Sequence, residues 1–346
     1  MNIQIGTYQV GPGHRPLVIA EAGINHNGDM SKARELVTAA AEVGAHIIKF
    51  QTHLPDHEML KDGFSADYIG ESFYDLMTRC ALSVQDHEEI MQLAKEKGIL
   101  FLSTPFSRQA ADLLEQLGVV AFKTGSGELT NLPLQKYIAG KGKPMIISTG
   151  MSTLEEVEKT VEMVRPINPN IVLMHCTSTY PTRYEDVRLL GIHQLYSRFG
   201  LPVGLSDHSP SIATSLGAVA FGAVLLEKHF TLDRSWPGPD QDGSIEPDIM
   251  ARLVRESEQI WLALRERHEV LEDEVPVQQM ARESVVTVQP IPCNTRITSE
   301  MVWVKRPGTG IPAAQLEAVI GRVTKRDLLL NHLVSWEDLN DEGEEL

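Results

Sequence analysis

A chain of 346 residues, 42% hydrophobic and 23% charged, has the length and balance of one large globular domain with a small one beside it. Its formal net charge of −16 argues against nucleic acid and against an anionic membrane surface as partners, though not against a small anion held by local charge. Three widely spaced cysteines (Cys80, Cys176, Cys293) fit neither a disulfide framework nor a zinc-finger spacing, and no run has the length of a signal peptide or membrane span, so a cytoplasmic protein is expected.

Apolar, often β-branched runs recur along the chain. They are PLVIAEAG (16–23), AHIIKFQT (45–52), ILFLSTPF (99–106), VVAFKTGSGE (119–128), PMIISTGM (144–151), IVLMHCTS (171–178), PVGLSDHS (202–209) and AVLLEKHF (223–230). Helical patterns lie between them. In SKARELVTAAAEVG (31–44), Leu36, Val37, Ala40 and Ala41 share a face and Gly44 is placed to end the helix, while Ser152 with Glu155 reads as a capping box. Eight strand–helix units over about 250 residues match a (β/α)₈ TIM barrel. A doubly wound open sheet is the alternative, but no GxGxxG follows the first run. The connection from His53 to Gly98 is long enough to act as a lid. Beyond about residue 281 the pattern changes to short strand-like pieces broken by Pro, Asn and Gly. The expected division is therefore a barrel over 1–268, a linker over 269–282 and a small β-rich domain over 283–346.

In a barrel of this kind function collects at the C-terminal ends of the strands. Each run ends there in polar residues: Glu21; Lys49 and Gln51; Thr104; Lys123, Ser126 and Glu128; Ser148; Thr177 and Ser178; Ser206 and His208; Glu227 and His229. Residues two apart on a strand share a face, so Lys49 with Gln51, Ser206 with His208, and Glu227 with His229 can each point inward as a pair. A lone histidine is more often a satisfied core residue than a ligand. Two at matching ends of adjacent strands favour an open divalent-metal site, Mn²⁺ or Mg²⁺, with Asp207 and Glu227 as less certain neighbours. His26, His53 and His175 read as packing or loop residues. Two inward lysines among Thr104, Ser126, Ser148 and Ser206 would cradle a phosphate or carboxylate, although each hydroxyl is equally suited to capping the next helix. Glu21 and Glu128 flank the mouth, either as acid and base or as partners of the lysines.

Together EAGINHNG (21–28), IKFQTH (48–53), STPFS (103–107), KTGSGE (123–128), STGM (148–151), YPTRYEDVRL (180–189), GLSDH (204–208), EKHFT (227–231), PGPD (237–240) and VKRPGTG (304–310) resemble the N-acetylneuraminate (sialic acid) synthase family in order and nearly end to end. The C-terminal region resembles the antifreeze-like, β-clip type domain of these enzymes. The resemblance implies condensation of phosphoenolpyruvate with N-acetylmannosamine, releasing phosphate. It implies a metal on His208 and His229, and phosphoenolpyruvate held by Lys49, Thr104, Lys123, Ser126, Ser148 and Ser206. Gln51, Tyr180 and Asp240 would position the sugar, while Glu21 and Glu128 would handle protons and water. Arg306 would reach the sugar from the partner of a domain-swapped homodimer. One departure is Ser178, where some members carry an asparagine that contacts ligand. Within the class, a legionaminate or pseudaminate synthase using a diacetamido-dideoxy hexose is the alternative. Outside it stand a non-catalytic carbohydrate-binding or structural protein and a metal-dependent aldolase.

Overall fold

The computed structural model describes residues 1–61, 72–267 and 269–340. The chain divides into two compact units, Met1–Arg265 and Glu266–Leu346. Residues 62–71 of the connection expected to form a lid lie outside the described residues.

The first unit opens with an antiparallel hairpin, β1 (Ile3–Ile5) and β2 (Tyr8–Val10). Eight parallel strands follow: β3 (Leu17–Gly23), β4 (Ile47–Thr52), β5 (Leu100–Pro105), β6 (Phe122–Thr124), β7 (Met145–Ser148), β8 (Ile171–Cys176), β9 (Val203–Asp207) and β10 (Leu225–His229). Neighbours in the sheet are neighbours in the chain, β10 pairs with β3, and β5 packs beside β6 to close a TIM barrel. All eight apolar runs therefore become the eight barrel strands. Their near-continuous burial follows from helices covering the outside of a parallel sheet.

Two apolar layers hold the barrel. The outer one packs strand residues such as Val18, Ile48 and Leu173 against helix residues such as Leu36, Ile90 and Leu195. The inner one stacks Leu17, Ile19, Leu102, Ile146, Val172 and Leu225 on Ile3, Ile5 and Val10, so the N-terminal hairpin plugs the floor. That hairpin has no signal in the strand–helix periodicity.

Local chemistry matches the sequence at several points. The helix Met30–Glu42 buries Ala33, Leu36, Val37 and Ala40, and Gly44 follows it at φ +80°. The capping box sits one residue later than expected: Thr153 is the N-cap and Glu156 completes the box, while Ser152 Oγ donates to Gly150 O. The sequence offers S-x-x-E and T-x-x-E in overlapping frames, and the threonine frame wins. β6 stops at Thr124, well short of the 119–128 run, because the GSGE stretch turns, with Glu128 N donating to Gly125 O.

The second unit carries one two-stranded sheet, β11 (Ser284–Thr287) with β12 (Val302–Lys305), and several isolated bridges. Its own core is built from Val285, Ile291, Ile297, Val302, Ile311, Val319, Leu328, Val334 and Leu339. Among the described residues no helix is long and apolar enough to cross a membrane.

Candidate active site

The strand tips of the barrel enclose a polar basin of about 290 Å³. It is lined by Glu21, Lys49, Gln51, Thr104, Lys123, Ser126, Glu128, Ser148, Ser178, Tyr180, Ser206, His208, Glu227 and His229. The parallel ladder explains the convergence. Glu21 of β3 is in register with His229 of β10 on one side and Lys49 of β4 on the other, and Glu227 is opposite Ser206. Side chains of one pleat face then share one layer of the barrel interior.

Lys49 and Lys123 lie at the bottom with side chains only 4% and 3% exposed. Lys49 Nζ is 2.6 Å from Glu21 Oε2 and 3.7 Å from Glu227 Oε2, and it donates to Thr104 Oγ1 at 3.2 Å. Lys123 Nζ is 3.4 Å from Glu227 Oε1, which also accepts from Ser206 Oγ at 2.9 Å. Burial works against the Lys49 ammonium, but Glu21 and Glu227 outweigh it and raise its pKa. The two carboxyls are driven apart. Burial raises Glu21 to about 7, with Glu227 adding to it against Lys49. Burial would raise Glu227 too, yet Lys123 and Lys49 hold it ionised at about 2. Lys49 thus keeps its charge while one carboxyl beside it protonates easily.

A hydroxyl wall stands beside the lysines. Ser126 and Ser148 hydrogen-bond at 2.9 Å, Gly150 N donates to Ser126 Oγ at 3.2 Å, and Ser126 approaches Cys176 Sγ at 3.5 Å. A Cβ on Gly150 would run into Ser178 Oγ and Ser126 Oγ, so only glycine lets these hydroxyls close up. Burial pushes the Cys176 thiol up, but His208 at 3.9 Å and the two serine hydroxyls outweigh it and bring it to about 6.

The two imidazoles meet at the opposite wall, ring centroids 5.4 Å apart, with Tyr180 packed 4.2 Å from His208 and 5.9 Å from His229. His208 Nδ1 faces the carbonyl of Thr177 at 3.0 Å and must donate to it, which leaves Nε2 bare in the neutral ring. His229 Nδ1 is buried without a hydrogen-bond partner among the described residues, 3.8 Å from Asp240 Oδ2. Burial, then the neighbouring His208, lowers the His229 pKa well below 6.5. Among the described residues no three His, Cys, Asp or Glu side chains converge as a ligand set. The donor set thus suits an open divalent site with two protein nitrogens, the other positions left to water or substrate.

The mouth above the basin is lined by Gln51, Glu128, Tyr180 and Asp240 on its polar side and by Ile24, Met59, Phe73, Met77 and Phe106 on its apolar side. Burial raises Glu128 to about 7, and its Oε2 is buried without a hydrogen-bond partner among the described residues. Gly23, at φ +49° beside a register shift in β3, lets Glu21, Gln51 and Asp240 crowd one point; each would be 3.4 Å from a Cβ there.

Every barrel residue that the resemblance assigns to the site sits in this basin or its mouth, but two other strand-tip candidates do not: Asp207, expected as a neighbour of the ion, turns to the outer face and pairs with Lys228, and Thr177 Oγ1 donates to Asp186 O. Arg306 belongs to the second unit, where it is exposed. Sequence reasoning underweighted three groups. Glu227 is the hub of both lysines, a role that only the cross-strand register reveals. His53, read as a packing residue, lines the mouth, and Cys176 joins the hydroxyl wall.

A model of the NeuB family matches residues 36–269, and one of the SAF domain matches residues 282–340. The chain belongs to the NeuB family. It is 38% identical over 341 residues to the N,N'-diacetyllegionaminic acid synthase of Legionella pneumophila, spanning 93% of this chain and 94% of that one. It is 33% identical over 338 residues to the human N-acetylneuraminate-9-phosphate synthase, spanning 94% of each. A crystal structure of the N-acetylneuraminic acid synthetase of Leptospira borgpetersenii, in complex with citrate, superimposes with a TM-score of 0.74 at 32% identity and covers 80% of this chain and 95% of that one. The NeuB-family match falls on the barrel and the SAF match on the second unit, so the basin belongs to the first.

Proposed function

We propose that this NeuB-family chain condenses phosphoenolpyruvate with an N-acetylated, mannose-type hexose and water, releasing phosphate and leaving a nine-carbon sugar acid. The observation that carries the reading is the pair of buried lysines beside a wall of hydroxyls, next to two imidazoles. Fixed cations and donors of this kind are organised before a small polyanion arrives, which is how an enzyme stabilises developing charge. Lys49, Lys123, Thr104, Ser126, Ser148 and Ser206 hold the carboxylate and phosphate. Gln51, Ser178, Tyr180 and Asp240 orient the sugar. Glu21 and Glu128, both of which protonate near neutrality, move protons and guide the attacking water. His208 and His229 would hold a divalent ion, Mn²⁺ or Mg²⁺, which when bound supplies Lewis acidity to the sugar's carbonyl. The working unit is a homodimer in which Arg306 of one chain serves the partner's barrel.

N-acetylmannosamine is the first candidate acceptor. A 2,4-diacetamido-6-deoxy sugar is the second, favoured by the apolar side of the mouth and by the similarity to the Legionella synthase. Phosphate release from phosphoenolpyruvate, assayed with each sugar and with added Mn²⁺ or Mg²⁺, tests the reading. Release that depends on sugar and on metal is expected. No release with either sugar would favour a binding protein, and turnover of pyruvate in place of phosphoenolpyruvate an aldolase. His229→Ala should abolish release while the thermal melt stays cooperative; unchanged activity with added Mn²⁺ rejects a ligand role.

A further inference from the structure

The mouth of the basin holds a buried pair for which the reaction as proposed gives no role. His53 follows β4, and Glu58 ends the short helix Pro55–Glu58; their side chains are 5% and 4% exposed. His53 Nδ1 is 2.7 Å from Glu58 Oε1, and Nε2 is 3.0 Å from Gln51 Oε1. The ring stacks on Phe106 with centroids 4.3 Å apart and planes 9° apart, which fixes its plane. Glu58 is held in turn, its Oε2 accepting from Leu54 N at 3.3 Å. On the far side of the amide, Gln51 Nε2 donates to Glu21 Oε1 at 3.3 Å.

Both atoms that face the ring are oxygens without a proton, one from a carboxylate and one from an amide carbonyl. A neutral imidazole has a single N–H and would leave one of these contacts lone pair against lone pair; a ring with N–H at both ends satisfies both. Turning the amide over would aim its oxygen at Glu21 Oε1 and lose that bond whenever the carboxyl is ionised. With Glu21 ionised, the chain Glu58–His53–Gln51–Glu21 is therefore consistent in only one direction.

We propose that Glu58 and His53 act as a positioning pair that locks the Gln51 amide with its NH₂ group toward Glu21 and the sugar side of the basin, so that His53 helps set recognition of the amino sugar without touching phosphoenolpyruvate. The kinetic consequence rests on the reading above, in which Gln51 meets the sugar; the state of the ring does not.

Two measurements test it. In ¹⁵N-labelled protein at about pH 7, the His53 ring nitrogens, assigned by their loss in His53→Phe, should both be protonated, and Glu58→Gln should convert the ring to a neutral tautomer. A neutral ring in the unmodified chain overturns the proposal. In steady-state assays, His53→Phe, which keeps the stack on Phe106, and Glu58→Gln should each raise KM about tenfold for N-acetylmannosamine, or for the 2,4-diacetamido sugar if that is the one consumed, with KM for phosphoenolpyruvate changed less than about twofold. Equal rises for both substrates, or none, overturn it as well. If the unmodified chain consumes neither sugar, the functional reading fails, and the ring-nitrogen result still decides the pair.

Discussion

At the scale of single residues, Glu128 gives a prediction whose sign is fixed by burial. Its carboxyl has an ordinary pKa of 4.5, and burial raises this to about 7 in the folded chain. A raised carboxyl favours the folded state in its neutral form. That stability is fully present below about pH 4.5 and is lost as pH rises through about 7, where the buried group must ionise without an ion-pair partner among the described residues. The ceiling on the effect is roughly 3 kcal/mol, less whatever solvent at the mouth screens. Glu128→Gln keeps the shape and removes the titration. Between about pH 5 and pH 8 the unmodified chain should therefore lose stability relative to Glu128→Gln in urea unfolding, while the variant's phosphate release falls at every pH if Glu128 moves a proton. A stability difference that stays flat with pH would mean the carboxyl is already ionised when folded. Glu128 was legible in the sequence as a mouth residue because it closes a run carrying Lys123 and Ser126. Its raised pKa was not, since that depends on what other segments place around it.

At the scale of elements, what matters is how the tips of β9 and β10 are held while they present His208 and His229. Asp207 and Lys228 stand next to the two histidines in sequence, so on a strand they point to the other face, out of the barrel interior. They are register partners across the two strands, and Lys228 Nζ lies 3.3 Å from Asp207 Oδ2 with both side chains essentially without solvent. Lys228 also donates to Ser209 O at 2.6 Å, and Asp207 accepts from Ser209 N, Thr214 Oγ1 and Ser215 Oγ. The alternation in SDH and EKH thus places a catalytic candidate on the inner face beside a structural ion on the outer one. Burial lowers the Lys228 pKa against the pull of Asp207, so this pair contributes registration more than net stability. Lys228→Met should cost about 2–4 kcal/mol, because it leaves a buried aspartate with hydroxyl and amide donors only, and adding Asp207→Asn should recover part of that cost. Chemical denaturation of the two singles and the double checks this; strictly additive losses would mean the two groups do not act on each other. Sequence pattern alone located both strand ends, since eight apolar runs ended in polar residues. The same alternation turned Ser206 with His208 and Glu227 with His229 inward, yet Asp207 was kept as a neighbour of the ion, because its outward partner Lys228 is set by the register between two separate strands.

For the whole molecule, the net charge of −16 and the anionic substrate proposed for it are compatible because binding depends on local groups, and Lys49 and Lys123 lie in the basin shielded from solvent. The barrel was legible in the sequence because strand–helix alternation is a local property of the chain. The N-terminal hairpin was missed because its role, plugging a floor made of strands from around the barrel, leaves no periodic trace in the eight residues that form it. The second unit was legible as a change of composition and through its family resemblance but not as a strand pattern, since isolated bridges rather than long strands build it. Arg306 lies on that second unit, and the dimer proposed above assigns it to the partner's basin. Co-expression of two defective chains tests this. Arg306→Ala carries its defect on the second unit and Lys49→Met carries its defect in the barrel. In a swapped dimer, a mixed pair has one site with both defects and one with neither. Random assembly makes half of the dimers mixed, so roughly a quarter of all sites should regain full activity. If Arg306 served its own barrel, every site would carry one defect and mixing would restore nothing. Alone, Arg306→Ala should raise KM for the sugar more than for phosphoenolpyruvate, which separates loss of a sugar contact from loss of the fold.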